Sequence, residues 1–502
     1  MSGARYEFNR ATFGLPVESY RVDSFITKGE RLPVVTEFVL RLLRICGPIT
    51  VPAFRDYFGF SEAESLAVAE SLSRQGLVVL HDEHLDLSPY AVERFDESAE
   101  DYPRFTKVEE RRDSVTFDLL SFSPLPSRGI GMLHDLCLRL SAPDEAMGKS
   151  VERAKAAYFR RFPEIARLSE DLRQDAINVY AVQDIQSKRR GYVPIPMDFL
   201  LDQQGQVQRK VETTFEERAA PELVSAFHEQ VSNELPGGSP RDMAGFEKFV
   251  EVFDVFSFMQ YVIGKRFELR RFAEEAASRA VPLPKGVQAI FGNVYLEHNL
   301  ELLASRLKAR RTEARYGKVC TSAFWLAPDD VLWGRGDSLP HATRVLNGLL
   351  KEGSHDDLAL FLPAEPGAES SVAPIAGVLE QAQVHAYRPG ALGGHSFDGR
   401  LELFLYPTFF VAALFHVPVP DSPGLLAPVG FISTLPKHVD TAHKLAMSLG
   451  VGGGYGGRVH SRRQSTDVRG TSQRPDLLSA CGFLNFSPLR RRPGAPDDSE
   501  ST

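Results

Sequence analysis

The chain has 502 residues, of which 43% are hydrophobic and 25% are charged, and its formal net charge is −8. This length exceeds that of one typical core, so we expect several domains. The net acidity argues against a protein that coats nucleic acid over its whole surface. No apolar run is long enough to cross a bilayer, and the opening residues MSGARYEFNR are polar. We therefore expect a cytoplasmic protein that has no membrane contact.

Four cysteines lie far apart and form no CxxC pair: Cys46, Cys137, Cys320 and Cys481. This spacing is typical of reduced structural thiols and argues against a zinc-thiolate site. The stretch VGGGYGG at 451–457 lacks the Lys-Ser/Thr of a phosphate-binding loop. His438 and His443 are spaced poorly for sharing a metal ion on one helix. The sequence therefore predicts neither a cofactor nor a metal.

Residues 31–95, which follow an N-terminal extension at 1–30, contain three segments with the periodicity of amphipathic helices. In the first segment apolar residues recur at helical spacing until Gly47 and Pro48. The third begins with Ser61 and Glu64, the pattern of a capping box. We expect the buried faces to comprise Val35, Phe38, Val39, Leu42, Leu43, Phe54, Tyr57, Phe58, Leu66, Ala69 and Leu72.

The apolar runs LVVL and LDL flank the polar stretch HDEH at 81–84, which predicts a two-stranded hairpin. Three helices followed by a hairpin resemble a winged helix-turn-helix domain. In that family the third helix enters the major groove of DNA, but here it carries Glu62, Glu64 and Glu70 against Arg74. Because acidic residues oppose phosphate contact, we favour a protein-docking role. A winged-helix transcriptional regulator is an alternative.

A mixed α+β pattern covers residues 100–240. An alternating strand at 104–124 precedes a helical pattern at 145–183, and a hairpin that turns at DQQGQ (202–206) follows. The stretch LPGGSPRD at 235–242 predicts a linker into a mostly helical segment at 241–316.

A basic stretch, SRLKARRTEARYGK at 305–318, lies at the end of that segment and contains a single acid, Glu313. On a helix Arg306, Arg310 and, nearly, Arg311 share a face, and Leu302, Leu303 and Leu307 are expected to point toward the core. This stripe is the predicted contact for nucleic acid or for an acidic partner. Its residues are Arg306, Lys308, Arg310, Arg311, Arg315 and Lys318. The alternative is a solvated cationic helix face.

Short strands alternate with helices over 317–450, which predicts an α/β layer with a largely parallel sheet. The element order resembles, at the level of topology, the C-terminal half of a phospholipase D-like domain. Enzymes of that family carry His-x-Lys-x-x-x-x-Asp, in which the His is the nucleophile and the Lys binds phosphate. A strand with a Gly-Ser pair and an Asn follows, and GFIST at 430–434 takes its place here.

The chain departs from that catalytic motif in both possible registers. In one register His416 takes the nucleophile position, but Pro418 replaces the Lys. In the other, Tyr406 and Thr408 replace the His and the Lys, and Ala413 replaces the Asp. A phosphodiesterase needs a nucleophile together with a cation at the developing oxyanion. The sequence therefore predicts no catalytic residues, and His416 is the single candidate if a rebuilt active site exists.

Residues 451–502 are rich in Gly, Arg and Ser, and they include eight arginines and two aspartates between 458 and 493. This composition predicts a disordered basic tail that binds polyanions. Within it, the apolar stretch DLLSACGFLNFSP at 476–488 is typical of a segment that docks on a partner.

Taken as a whole, the pattern predicts a multi-domain α/β protein that acts without catalysis in a multi-protein, DNA-associated assembly. The expected partners are other proteins and, through the basic helix and the tail, nucleic acid. Bacterial anti-phage defence systems combine such domains, so the resemblance implies that context. A phospholipase D-like phosphodiesterase or nuclease with an altered active site is the alternative from the enzyme class.

Overall fold

A computed structural model of the chain describes residues 5–451 apart from gaps at 31, 97–104, 127–130, 132, 169–176, 236–242, 314–321, 355–356, 365–372, 380, 388–390 and 393–394. Apart from Val451, the predicted tail at 451–502 lies outside the described residues, as does most of the predicted linker at 235–242. The chain is a mixed α/β protein that forms two compact units. The larger unit contains Met1–Pro16, Ile130–Ala142 and Gly191–Thr502, and the smaller unit contains Val17–Gly129 and Pro143–Arg190.

The elements up to residue 168 are β1 (Tyr6–Glu30), α1 (Val34–Cys46), β2 (Ile49–Thr50), α2 (Val51–Phe58), α3 (Glu62–Arg74), β3 (Val78–His81), β4 (His84–Leu87), α4 (Pro89–Asp96), β5 (Phe105–Asp118), β6 (Pro124–Leu125), β7 (Leu138–Arg139), α5 (Asp144–Gly148), α6 (Ser150–Arg160) and α7 (Phe162–Leu168). The next elements are β8 (Ile177–Leu201), β9 (Val207–Val211), α8 (Thr213–Arg218), α9 (Pro221–Glu234), α10 (Ala244–Phe253), a 3-10 helix (Phe256–Tyr261), β10 (Val262–Ile263), β11 (Arg266–Phe267), α11 (Leu269–Ala277), β12 (Val287–Phe291) and α12 (Glu297–Glu313). The last elements are β13 (Ser322–Leu326), α13 (Ser338–Ser354), β14 (Asp357–Pro363), α14 (Ala373–Val378), β15 (Gln383–Tyr387), β16 (Ala391–Leu392), β17 (His395–Ser396), β18 (Leu401–Tyr406), β19 (Phe410–Pro418), β20 (Leu426–Ser433) and α15 (Pro436–Val451).

The smaller unit contains the three helices and the hairpin predicted from the sequence, as α1, α2, α3 and the β3–β4 pair. Strand β2 adds to the hairpin, so the sheet has the order β2-β4-β3. The capping box at the start of α3 is confirmed, since Ser61 N–H donates to Glu64 Oε2 at 2.8 Å and Glu64 N–H donates to Ser61 Oγ at 3.3 Å. The core of this module comprises Val39, Leu40, Leu43, Phe54, Ala69, Leu72, Leu77, Val78, Leu85 and Phe95.

The prediction of which residues form the core of this module is partly wrong. Phe38 is 55% exposed and Leu66 is 46% exposed, and Val35 and Tyr57 are also exposed. The reason is that α1 has apolar residues on two opposite faces, and only Val39, Leu40 and Leu43 pack inward. Periodicity identifies such a helix but does not decide which of its apolar faces meets the core.

Two long strands, β1 and β8, occupy parts of the chain where the sequence did not predict them. Residues 17–30, within the predicted N-terminal extension, continue β1 and pair antiparallel with β5, from Val17 opposite Asp118 to Glu30 opposite Phe105. The helical pattern predicted over 145–183 is also partly wrong, since α7 ends at Leu168 and β8 begins at Ile177. The hairpin predicted around 202–206 is confirmed as the β8–β9 pair.

A seven-stranded sheet forms the centre of the larger unit, with the order β12-β20-β19-β18-β13-β14-β15. Only the β13–β14 and β14–β15 pairs are parallel, and the other pairs are antiparallel. The predicted largely parallel sheet is therefore wrong. Helices α13 and α14 provide the crossovers that parallel pairing requires, whereas only short turns join β18, β19 and β20.

Helices cover both faces of this sheet. On one face, residues of α12 and α13 such as Leu303, Leu307 and Leu346 share a core with Trp325 and Phe404. On the other face α10 and α15 pack against β19, and the ring of Phe249 lies 5.9 Å from that of Phe415. The strands in the middle of the sheet are consequently buried on both sides. Within the described part of the chain, no helix has the length and apolar character needed to cross a bilayer.

Candidate functional site

His416, the single catalytic candidate of the sequence, lies near the end of β19 in the middle of the seven-stranded sheet. Side chains alternate along a strand, so His416 shares the face of Phe410, Ala412 and Leu414. Its backbone N–H donates to the carbonyl oxygen of Arg400 at 2.9 Å. The side chain is 0% exposed. Solvent and any ligand in solution are therefore excluded from the imidazole.

Two carboxylates enclose the imidazole of His416. Nδ1 lies 3.1 Å from Asp330 Oδ2, and Nε2 lies 3.1 Å from Glu402 Oε2. The remaining carboxylate oxygens have their own donors, because Trp325 Nε1–H donates to Glu402 Oε1 at 3.1 Å and Leu332 N–H donates to Asp330 Oδ1 at 3.0 Å. The cluster is a closed hydrogen-bond network.

The two carboxylates determine the charge of the imidazole. Burial alone would lower the pKa of His416, but hydrogen bonds from Nδ1 and Nε2 to Asp330 and Glu402, with their charges, outweigh burial and raise the pKa. The two carboxylates therefore favour the protonated ring, in which both nitrogens can donate. A nucleophilic histidine needs a free lone pair on one nitrogen. With both ring nitrogens occupied by carboxylates, the imidazole of His416 links β19 to β18 and to the loop at Asp330, and it has no free nitrogen with which to attack phosphorus.

The alternative register also lacks reactive groups. Tyr406 is fully buried at the end of β18, and Ala413 is buried within β19. Thr408 lies in the turn between the two strands with a φ of 67°. A threonine in such a turn has no adjacent base in the hydrogen bonds that the structure describes. Neither register therefore assembles a nucleophile with its base among the described residues.

The described cations Lys437 and Arg400 have acidic partners. Lys437, which follows β20 at the end away from His416, has its Nζ 2.6 Å from Asp254 Oδ2. Arg400 pairs with Asp398 at 3.0 Å, and its guanidinium lies over the ring of Phe415 at 4.7 Å. Arg388 lies outside the described residues. The described residues around His416 are thus rich in carboxylates, a charge that opposes an approaching phosphate.

The basic stripe begins on α12 as predicted. Leu303 and Leu307 are buried in the core and Leu302 packs against it. Arg306 is half-buried and Lys308 is exposed. Arg310 and Arg311 belong to the helix, but their side chains lie outside the described set, as do Arg315 and Lys318 entirely. The described part of the stripe is therefore the pair Arg306 and Lys308.

A crevice of about 490 Å3 lies where β13 and β14 end, and sequence reasoning missed it. Ligands of α/β proteins bind outside the carboxyl ends of parallel strands, so the motif PDD directly after β13 was the available signal. The polar residues that line the crevice are Asp135, Arg139, Asp330, Trp333 and Arg335. Burial lowers the pKa of Arg335, whose Nε–H donates to the carbonyl of Val331 at 2.9 Å.

A cysteine, a histidine and an aspartate meet beside this crevice. Cys137 Sγ lies 3.5 Å from His134 Nε2, and the same nitrogen lies 2.8 Å from Asp337 Oδ1. In a catalytic triad the two partners contact different ring nitrogens. Burial also raises the pKa of the Cys137 thiol to about 11, which disfavours the reactive thiolate. Across the described residues, no group of three or more His, Cys, Asp or Glu side chains could hold a metal ion.

Comparison with known proteins adds little to this geometry. No family model matches the chain. No curated protein matches it either. Among solved structures, that of TrmBL2, described as an archaeal chromatin protein with a novel mode of DNA binding, matches 44% of this chain and 78% of its own chain, at 10% sequence identity and a TM-score of 0.17. A similarity of this size does not establish a shared fold.

Proposed function

We propose that this chain is a non-catalytic component of a multi-protein, DNA-associated assembly, in which the larger unit is a scaffold. The observation that carries the proposal is the enclosure of His416 between Asp330 and Glu402. The only histidine at a catalytic position of the resembled family is fully buried, and each of its ring nitrogens lies 3.1 Å from a carboxylate oxygen. Its role is to hold the 327–333 loop against β18 and β19.

Electrostatics support the scaffold role. Two carboxylates surround one imidazolium, so the cluster carries a net negative charge, whereas phosphodiester cleavage requires positive charge at the equatorial oxygens. One missing electrostatic contact of this kind commonly costs ~3–4 kcal/mol of transition-state stabilisation. A phosphodiester at this position would also have to displace a closed network of buried hydrogen bonds.

We propose that the smaller unit contributes a winged-helix module that docks on protein. Helix α3, which would enter the major groove, presents Glu62 and Glu70 to solvent. Glu64 is held in the capping box with Ser61. Arg74 lies 4.0 Å from Glu70, so the one cation of the helix is paired with an acid. Direct readout of bases relies on Arg, Lys, Asn and Gln, and this surface offers acids instead.

Contact with nucleic acid is assigned to the cationic stripe and the tail. Lys308 is exposed on α12. The stripe and the tail carry the concentrated positive charge of an otherwise acidic chain. Since phosphate contacts supply most of non-specific affinity, we expect binding that depends strongly on salt and weakly on sequence.

The test of the scaffold role is turnover of bis-p-nitrophenyl phosphate and of single- and double-stranded DNA by the full chain. We expect no hydrolysis above the protein-free rate. A His416→Gln variant whose circular dichroism matches that of the wild type serves as the control. Wild-type turnover that this variant loses would establish the phosphodiesterase alternative. Turnover that the variant retains would place catalysis at another site and equally overturn the proposal.

A further inference from the structure

The crevice at the carboxyl ends of β13 and β14 has a wall that is mostly apolar. Leucines, prolines and an isoleucine from separate parts of the larger unit form this wall, among them Leu136, Pro328, Leu339, Leu362 and Ile375. The volume of about 490 Å3 lies within the range of small-molecule sites, which is ~300–1,000 Å3. A ligand that fills this crevice therefore needs an apolar body.

Arg335 brings to the crevice a cation that has no acidic partner among the described residues. Its Nε–H donates to the carbonyl oxygen of Val331 at 2.9 Å, and no described residue accepts a hydrogen bond from its Nη nitrogens. Asp330 also lines the crevice, but its two oxygens are already bonded to His416 Nδ1 and Leu332 N–H. The guanidinium is half-buried, so an anion that enters the crevice would stabilise its charge.

Trp333 adds a second donor to the same crevice. Its side chain is buried, and its Nε1–H has no hydrogen-bond acceptor among the described residues. The neighbouring Trp325 differs, since its Nε1–H donates to Glu402 at 3.1 Å. Buried donors are nearly always paired in folded proteins. An acceptor on a ligand would satisfy the indole of Trp333.

Both donors belong to the loop at 327–337, which hydrogen bonds hold in place. Thr12 N–H donates to the carbonyl oxygen of Arg335 at 3.0 Å. Gly334 N–H, between the two donors, donates to the hydroxyl of Tyr295 at 3.0 Å. A ligand that binds to donors already fixed in this way loses less free energy to ordering the protein.

We propose that this crevice binds a small organic acid that consists of one carboxylate on an apolar body. The carboxylate accepts hydrogen bonds from the guanidinium of Arg335 and from the indole N–H of Trp333. The apolar body packs against the leucines and prolines of the wall. This site goes beyond the scaffold role of the larger unit and does not depend on it.

The charges around the crevice favour a carboxylate over a phosphate. Arg139, the other cation of the lining, lies 3.6 Å from Asp135. Arg335 is therefore the one lining cation without an acid among the described residues, and a single negative charge matches it. The planar guanidinium also fits the two oxygens of a carboxylate. A phosphate dianion would bring a second charge close to Asp135 and Asp330.

The first experiment titrates the full chain with octanoate and with 4-phenylbutyrate, each beside its primary amide, by isothermal titration calorimetry. We expect saturable binding of one acid per chain, at least about tenfold tighter than that of the amide, because only the acid forms a charge-assisted contact with Arg335. Absence of saturable binding by both acids up to millimolar concentration would overturn the proposal. Equal affinity for acid and amide would overturn it too, as would displacement of the acid by inorganic phosphate.

The second experiment repeats the titration with three variants. Arg335→Met should weaken binding of the acid at least about tenfold and leave binding of the amide unchanged. Trp333→Phe, which keeps an aromatic ring and removes the N–H, should also weaken binding of the acid. Arg344→Met is the matched control, since Arg344 is exposed on α13 and lies outside the crevice. Unchanged affinity for the acid in both crevice variants would overturn the proposal.

Nuclear magnetic resonance of the chain with 15N-labelled tryptophan gives a readout in the wild type, independent of how well the variants fold. The two tryptophans, Trp325 and Trp333, give two indole N–H signals. Binding of the acid should move the Trp333 signal further than that of Trp325, whose N–H is already bonded to Glu402. Saturable binding that left the Trp333 signal unmoved would place the acid at another site and overturn the proposal.

Discussion

His416 donates through Nε2 to Glu402 at 3.1 Å across two neighbouring strands, and both side chains are fully buried. Because β18 and β19 are antiparallel, with Leu401 opposite Phe415, the two residues lie on one face of the sheet. Buried charges of this kind are costly to separate, since the partner that remains has no solvent to stabilise it. The pair is therefore expected to determine the stability of the larger unit.

Replacing one member of the cluster should destabilise the larger unit strongly. We expect His416→Gln to cost about 3–5 kcal/mol, because Asp330 and Glu402 then remain buried without a counter-charge. The only two tryptophans of the chain, Trp325 and Trp333, both belong to this unit. Their fluorescence during urea denaturation consequently reports its unfolding separately from that of the smaller unit.

Glu402→Gln provides the matched comparison. Glu402→Gln should lower the free energy of unfolding less in the His416→Gln background than in the wild type. The reason is that the Glu402 carboxylate has already lost its histidine partner in that background. Additive costs in the double variant would show that the two residues do not interact energetically.

The stability of the larger unit should decrease as the pH rises above about 6.5, the ordinary pKa of histidine. The pKa of folded His416 is raised, so the folded state binds more protons than the unfolded chain between that value and the folded pKa. The stabilisation is complete below about 6.5 and is lost as the pH rises through the folded pKa. Tryptophan-detected denaturation between pH 5 and pH 9 measures this trend.

His438 acts in the opposite direction and at lower pH. Burial lowers its pKa to about 4. Its contribution is therefore lost as the pH falls from about 6.5 toward 4, and His443, whose pKa burial also lowers, adds to this loss. The two trends place maximal stability near pH 6.5. A stability that still increased between pH 7 and pH 9 would contradict the charge state assigned to His416.

Gly430 should not tolerate a side chain. A Cβ at this position would lie 2.1 Å from the carbonyl oxygen of Ala413 and 2.7 Å from the Cα of Leu414. We expect Gly430→Ala to destabilise the larger unit by about 1–3 kcal/mol or more, because the β19–β20 pair must move apart. Gly348→Ala is the control, since a Cβ there meets nothing within 4 Å on α13. That substitution should stabilise the unit by about 1 kcal/mol.

The cationic stripe should set the salt dependence of nucleic-acid binding. Arg306→Ala, Arg310→Ala and Arg311→Ala should each weaken binding to duplex DNA. Each lost phosphate contact should reduce the slope of log K against log salt by about 0.9. Fluorescence anisotropy at several salt concentrations measures the slope. Arg218→Ala, an exposed arginine of α8, is the control that should change neither affinity nor slope.

Helix α3 should be dispensable for any DNA sequence preference. Glu62 and Glu70 are exposed and acidic, so Glu62→Ala and Glu70→Ala remove repulsion without removing a base contact. We expect unchanged relative affinities for different duplex sequences and an equal or slightly higher absolute affinity. Competition binding with unrelated duplexes is the measurement. If these variants lost a preference for one particular DNA site, the winged-helix module would have to be regarded as a domain that reads DNA sequence.

Local patterns in the sequence determined the elements that depend on neighbours along the chain. The helices at 34–74, the capping box of Ser61 and Glu64, the β3–β4 hairpin and the β8–β9 hairpin follow from periodicity and turn residues. The alternation of strands and helices after residue 322 likewise fixed the α/β class. The resemblances to a winged helix and to a phospholipase D-like domain extend beyond these local features and stay predictions.

Contacts between distant residues decided the rest. Asp330 is 86 positions from His416 and Glu402 is 14 positions away, so no motif spacing marks the cluster. The direction of each strand pair depends on which strands become neighbours, and this placed an antiparallel group beside three parallel strands. The two apolar faces of α1 are alike in sequence, and only packing buried Leu43 while leaving Phe38 exposed. Hydrophobic periodicity is a property of one helix, whereas burial is a property of what surrounds it.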